Sequence, residues 1–190
     1  MSARPGFGSL PGSSGRVRRL FFALWPGPDA MDAASAAVRR LVPPGTGRPQ
    51  RPDQLHVTLE FLGSMPEPRL VSVLEVGEAV TASATPFEIV LDRLEHWQRP
   101  QVLCLTASVV PESLAALVRS LRSALSARDF EPEKRPFKPH LTLARKVRQP
   151  PPAESTESLR WAAHEYSLVE SISGPQGSRY ERLSTWTMRA

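Results

Sequence analysis

The apolar positions fall into short blocks whose spacing switches between two residues and three to four, which predicts strands interleaved with helices. The run RRLFFALW (18–25) reads as a first strand, stopped by Pro26-Gly27-Pro28. Met31, Ala34, Val38 and Leu41 then recur on one face of a helix over 28–41, with proline in its first turn. PPGTGRPQRP (43–52) is a loop by composition. LHVTLEFLG (55–63) reads as a strand ended by Gly63, and Leu70, Val73, Leu74, Gly77 and Val80 predict a helix over 68–80. Residues 87–94 and 102–109 read as two arms of a hairpin joined by the turn-rich HWQRP. Leu114, Leu117, Val118, Leu121 and Leu125 form the clearest helical stripe, over 112–126. HLTLAR (140–145) is strand-like, and 161–172 and 179–188 read as two closing strands. Hairpins among helical crossovers argue for an α+β fold rather than a parallel doubly wound sheet.

Composition narrows the class. The chain has 190 residues, 41% hydrophobic and 23% charged, a globular balance for one domain. No apolar run approaches the ~20 residues of a membrane span, and the start lacks the apolar stretch of a signal peptide. These features predict a cytoplasmic protein without a membrane anchor. The single cysteine, Cys104, forms no internal disulfide and reads as a small buried hydrophobe in VLCLT. Of the formal charge of +5, four units come from Arg4, Arg16, Arg18 and Arg19, so the body is nearly neutral. The sequence thus divides into a disordered basic leader (1–16) and one folded domain (17–190). Within the domain only 134–148 is locally basic, with Lys134, Arg135, Lys138, Arg145, Lys146 and Arg148 and no acid among them.

The chemistry lies in a repeated phrase. LHVTLEFLG and PHLTLARKV both hold His-x-Thr-Leu, at His56/Thr58 and His140/Thr142, about half a chain apart. On a strand, residues i and i+2 share a face, so each histidine lies beside its threonine while Val57 with Leu59, and Leu141 with Leu143, turn to a core. Two such faces across a cleft suit displacement at phosphorus. A neutral imidazole takes a proton from attacking water while an imidazolium protonates the departing oxygen. Threonine hydroxyls and a nearby guanidinium hold the non-bridging oxygens. The residues alone leave open which histidine is acid and which is base. Arg145 is offset from His140 by an odd number, so it needs a bend in the strand to join the site.

Together with RLFFALWP, RPFKPHLTLAR and the closing YERLSTW, the paired motifs resemble the 2H phosphoesterase superfamily. Within it they look like the RNA 2′,3′-cyclic phosphodiesterase branch, historically called 2′-5′ RNA ligase. The resemblance runs from about Arg19 to the C-terminus. It implies a bilobal fold, two antiparallel sheets with pseudo-twofold symmetry around a central cleft. It also implies that His56 is the general acid toward the 3′ oxygen and His140 the general base toward water. Thr58, Thr142 and Arg145 would hold the phosphate, and the product would be a 2′-phosphomonoester. The expected partners are RNA or nucleotides ending in 2′,3′-cyclic phosphate, the expected state is a monomer, and no cofactor or metal is expected. Ligation of RNA halves by the reverse reaction, or a non-catalytic RNA-end or nucleotide-binding module, are the alternatives.

Other residues carry weaker signals. Phe22, Trp25 and Phe61 are aromatics suited to stacking on a base, although Phe22 and Phe61 lie in apolar strands where core packing is the common fate. Lys138 flanks the second motif, and Arg48 and Arg51 precede the first in a loop that suits solvated or phosphate-binding arginines. His96 and His164 have no motif around them and read as structural.

Overall fold

The computed structural model describes residues 15–150, 157–175 and 177–189. Most of the basic leader and most of the proline-rich stretch 149–156 lie outside them. The chain runs β1 (Val17–Leu24), α1 (Pro28–Leu41), β2 (Arg48–Pro49), β3 (Val57–Pro66), α2 (Leu70–Thr81), β4 (Phe87–Leu91), β5 (Arg93–Trp97), β6 (Val102–Thr106), α3 (Glu112–Ser126), β7 (His140–Arg145), β8 (Leu159–Ala163), β9 (Glu165–Gly174) and β10 (Gly177–Thr187). One-turn 3-10 helices at Pro52–Gln54 and Glu67–Arg69 precede β3 and α2.

Eight strands form one antiparallel sheet in the order β10-β9-β1-β3-β7-β6-β5, with β2 added beside β7, and β4 pairs with β8 in a second, two-stranded sheet. The large sheet is two four-stranded halves joined at a single residue pair, Val57 with Leu141. Val57 is the residue between His56 and Thr58, and Leu141 the residue between His140 and Thr142. The pseudo-twofold axis therefore passes through the middle of the two repeated phrases. Each half has the same path, strand to helix to motif strand: β1-α1-β3 in one and β6-α3-β7 in the other.

Alternation along β1 divides the sheet into two faces. Leu20, Phe22 and Leu24 are fully buried in the main core, which also takes Val73, Val76 and Val80 from α2 and the leucine stripe of α3. Phe21, Ala23 and Val169 form a small apolar patch with Trp25 and Tyr180 on the opposite face. That second face is the floor of the cleft. Gly77 of α2 has no room for a side chain, since a Cβ there would come 2.3 Å from the Trp186 ring. The carbonyl of Gly77 accepts a hydrogen bond from the Tyr166 hydroxyl at 2.6 Å, fixing α2 to β9.

Three expectations from the sequence are corrected. The hairpin is β5–β6, Arg93 pairing with Thr106 through to Trp97 with Val102, so His96 and Trp97 are strand rather than turn. The apolar arm before it, β4, turns away after Leu91 to pair with β8. The segment 161–172 is likewise split at His164 between the two sheets. Gly63 does not end its strand. It has φ +73° beside a bulge where the register with β1 skips Leu62, and β3 continues to Pro66.

Among the described residues no helix is long and apolar enough to cross a membrane. Cys104 is buried as expected, and His96 Nε2 lies 2.8 Å from the Val147 carbonyl in a structural contact.

Candidate active site

The two motifs meet at the axis. With Val57 opposite Leu141 in an antiparallel pair, the flanking residues His56, Thr58, His140 and Thr142 turn to the face away from the buried Val57 and Leu141. His56 and Thr58 line one half of the cleft, about 330 Å³, with Arg19, Phe21, Phe61, Arg145 and Tyr180 among its walls. His140 lines the adjoining half, about 260 Å³, with Trp97, Phe137 and Lys138; Thr58 and Phe61 stand on the boundary and belong to both.

Each imidazole is held the same way. His56 Nδ1 lies 2.7 Å from the carbonyl of Gln54, and His140 Nδ1 lies 2.9 Å from the carbonyl of Lys138, in both cases two residues upstream. A carbonyl only accepts, so Nδ1 carries the hydrogen and Nε2 is left for chemistry. Gln54 is itself anchored, its side-chain amide donating to the Ser178 carbonyl at 2.7 Å. On the other side, buried Glu60 accepts from Arg122 at 2.7 Å and from the Glu133 backbone N–H at 2.6 Å. That carboxylate ties α3 and the segment leading to His140 back onto β3.

Arg145 reaches the cleft because β7 contains the required bend. Leu103 pairs with Ala144 and Cys104 with Thr142, so Leu143 is an extra residue and the alternation changes phase after it. The same device occurs in β3, where Phe22 pairs with Glu60 and Ala23 with Thr58, leaving Leu59 extra. Phe61 is thereby turned to the cleft three residues after Thr58, as Arg145 is three after Thr142. The two halves are copies in geometry whose third member differs, a phenyl ring in one and a guanidinium in the other.

Burial pushes His56 down to about 4, with the nearby Arg145 and His140 acting in the same direction against the Gln54 carbonyl. Three aromatic rings enclose it: Trp25 stacks at 5.2 Å, and Phe21 and Tyr180 lie at 5.1 and 5.0 Å. His140 is also lowered, first by burial, then by Arg145 and Lys138, with the Lys138 carbonyl and the Glu95 carboxylate opposing. Trp97 lies against it at 4.6 Å. Burial thus disfavours the imidazolium form at both positions.

The other sequence candidates divide. Phe22 is core. Trp25 backs His56 and carries the Arg182 guanidinium over its ring at 5.1 Å. Phe61 is not core; it is 43% exposed and faces the cleft. Lys138 pairs with Glu95 at 2.6 Å, and Arg51 with Asp53 at 3.0 Å. Neither Arg48 nor Arg51 lines the cleft. Arg19, Phe21, Tyr180 and Trp97 were not foreseen. The available signal for two of them was the even spacing of Arg19, Phe21 and Trp25, a charged and aromatic face opposite Leu20, Phe22 and Leu24. Among the described residues no three His, Cys, Asp or Glu side chains gather as a metal site.

Residues 16–173 match the model of the 2′-5′ RNA ligase superfamily. The chain is similar to an RNA 2′,3′-cyclic phosphodiesterase of Thermus thermophilus, 31% identical over 182 residues and 90% of each chain. A second protein of that name, from Escherichia coli, is 32% identical over 152 residues, 77% of this chain and 82% of the other. Among solved structures, E. coli LigT complexed with 3′-AMP superposes with a TM-score of 0.82 at 26% identity, covering 92% of this chain and all of that one.

Proposed function

Because the chain belongs to the 2′-5′ RNA ligase superfamily, we propose that it hydrolyses RNA ends carrying a 2′,3′-cyclic phosphate to 2′-phosphomonoesters, with two histidines and no metal. The observation that carries this reading is the matched pair of imidazoles, each with Nδ1 committed to a carbonyl and Nε2 left over. In the reaction, water attacks phosphorus and gives its proton to His140 Nε2. The P–O3′ bond breaks, and His56 Nε2 protonates the departing 3′ oxygen. Thr58, Thr142 and Arg145 hold the non-bridging oxygens, and the exposed ring of Phe61 is a stacking platform for the terminal base. One chain supplies both histidines, so the site is complete in a monomer.

The unequal surroundings of the histidines support this division of roles. His56 is the more enclosed and sits low, so once protonated it is the stronger acid. The cyclic phosphate anion supplies the opposite charge that draws a proton onto it when substrate binds. His140 is lowered as well, but there the Glu95 carboxylate partly offsets the Arg145 and Lys138 charges, and no such carboxylate acts on His56 among the described residues.

The test is to incubate the protein with a short RNA ending in 2′,3′-cyclic phosphate, in EDTA, and identify the product. A 2′-phosphate is expected. A 3′-phosphate would reverse the leaving oxygen, and absence of turnover, or turnover only with added metal, would overturn the proposal.

A further inference from the structure

The two halves of the cleft differ in how their cations are spent. In the His140 half every basic side chain in the wall has a carboxylate: Arg122 with Glu60 at 2.7 Å, Arg135 with Glu133 at 2.6 Å and Lys138 with Glu95 at 2.6 Å. In the His56 half the cations are Arg19 and Arg145, and neither makes an ion pair among the described residues. Arg145 is close enough to both imidazoles to depress them. Arg19 has a different place.

Arg19 stands two strand residues beyond Phe21 and four beyond Ala23, which pairs with Thr58, so its Cα is roughly 13 Å along β1 from the catalytic row. It faces Ser64 across β1–β3, while Ser171 pairs with Tyr180 and Ser173 with Ser178 across β9–β10. The floor of the His56 half passes under Arg19, Ser171 and Ser173 into a second groove of about 370 Å³ that adds Ser64 and Arg16. Glu170 also reaches this wall, but its carboxylate is bound by Arg18 and by Arg16 at 3.5 Å. The Arg19 guanidinium lies 4.8 Å from the Phe61 ring centroid, at the mouth of the site. A continuous groove with an unspent guanidinium among hydroxyls, leading away from the histidines, suits a phosphodiester and not a base.

We propose that Arg19, with the hydroxyls of Ser64, Ser171 and Ser173, holds the phosphate on the 5′ side of the terminal nucleotide. The RNA strand then leaves the site along β1 and β9. The inference rests on the activity proposed above. It makes the preferred substrate an oligonucleotide end, or a nucleotide bearing a 5′-phosphate, over a bare nucleoside cyclic phosphate.

Three substrates separate the possibilities: a nucleoside 2′,3′-cyclic phosphate, the same compound with a 5′-phosphate, and a dinucleotide with a cyclic end. For the unaltered protein, kcat/KM should rise about tenfold on adding the 5′-phosphate, the size of one charge-assisted contact. Arg19→Ala should remove most of that gain, through KM, on both phosphate-bearing substrates. Its salt dependence on the dinucleotide should flatten by about 0.7 in the log–log slope, as expected for one lost phosphate contact on a single strand. An equal loss on all three substrates would overturn the proposal and make Arg19 a partner of the terminal base through Phe61. No discrimination among the substrates before mutation would overturn it too. Absence of turnover on all three would instead count against the activity itself.

Discussion

The His56 and His140 halves of the cleft share their geometry and differ in their electrostatics. Both present His-x-Thr from a motif strand, lock Nδ1 on the carbonyl two residues upstream and use a bulge to turn a third residue inward. The His56 side is walled by three aromatic rings and, among the described residues, leaves Arg19 and Arg145 without carboxylates. The His140 side has Trp97 against the ring, and its cations are neutralised by Glu60, Glu95 and Glu133. Backbone symmetry thus positions two like groups, and the unlike walls are what the proposed division into proton donor and acceptor rests on. A duplicated motif with duplicated surroundings would give two bases or two acids.

The strongest way to break the comparison is to remove one histidine at a time. His56→Ala and His140→Ala should each lower kcat by roughly 10³-fold in hydrolysis assays. The double variant should be little worse, because the two act as a unit. Next come the non-identical third members. Arg145→Ala should cost about 10²-fold, mostly in kcat, if its charge serves the reacting phosphate. Phe61→Ala should cost roughly tenfold, mostly in KM, if its ring carries a base. Steady-state kinetics on one cyclic-phosphate substrate would separate them, and equal kcat and KM effects would mean that the bulges position them for something else.

The sequence made the motif pair legible because a strand's period of two is local and His-x-Thr-Leu recurs in both strands. The three helices were legible for the same reason: Val38 with Leu41, and the leucines of α3, write their burial directly into spacing. Sheet exchange is not local. Nothing in the alternation of Ile89, Leu91 and Leu94 marks Asp92 as the point where the chain leaves the small sheet for the large one, so β4 and β5 read as one arm. Arg145 was recognisable as a candidate, but its reach depended on an extra residue at Leu143 that only pairing with β6 reveals. Tyr180 and Trp97 come to the histidines from β10 and β5, through strand neighbours far apart in sequence.

Smaller effects sharpen the electrostatic side. Glu60→Ala removes a buried carboxylate that serves both Arg122 and the backbone leading to His140. It should cost about 2 kcal/mol in urea unfolding, the size of a lost hydrogen bond to a charged group. An unchanged midpoint would show that the His140 segment is held by other contacts. In kcat/KM, which reports the free enzyme, both limbs of the pH profile should lie below 6.5, because burial lowers both imidazoles. The limb for the acid should move upward in kcat, since the bound phosphate anion favours the imidazolium. Stability follows the same sign. A histidine lowered by folding contributes stability above its unfolded value that is lost as pH falls from about 6.5 toward 4, so that loss should be shallower in His56→Ala.

The measurement that bears most directly on the division of labour uses a cyclic substrate whose bridging 3′ oxygen is replaced by sulfur. A thiolate leaves without needing a proton, so the acid becomes dispensable while the base does not. His56→Ala should regain most of its lost rate on this substrate, and His140→Ala should remain as impaired as on the oxygen substrate. Rescue of His140→Ala in place of His56→Ala, or of neither, would contradict the assignment.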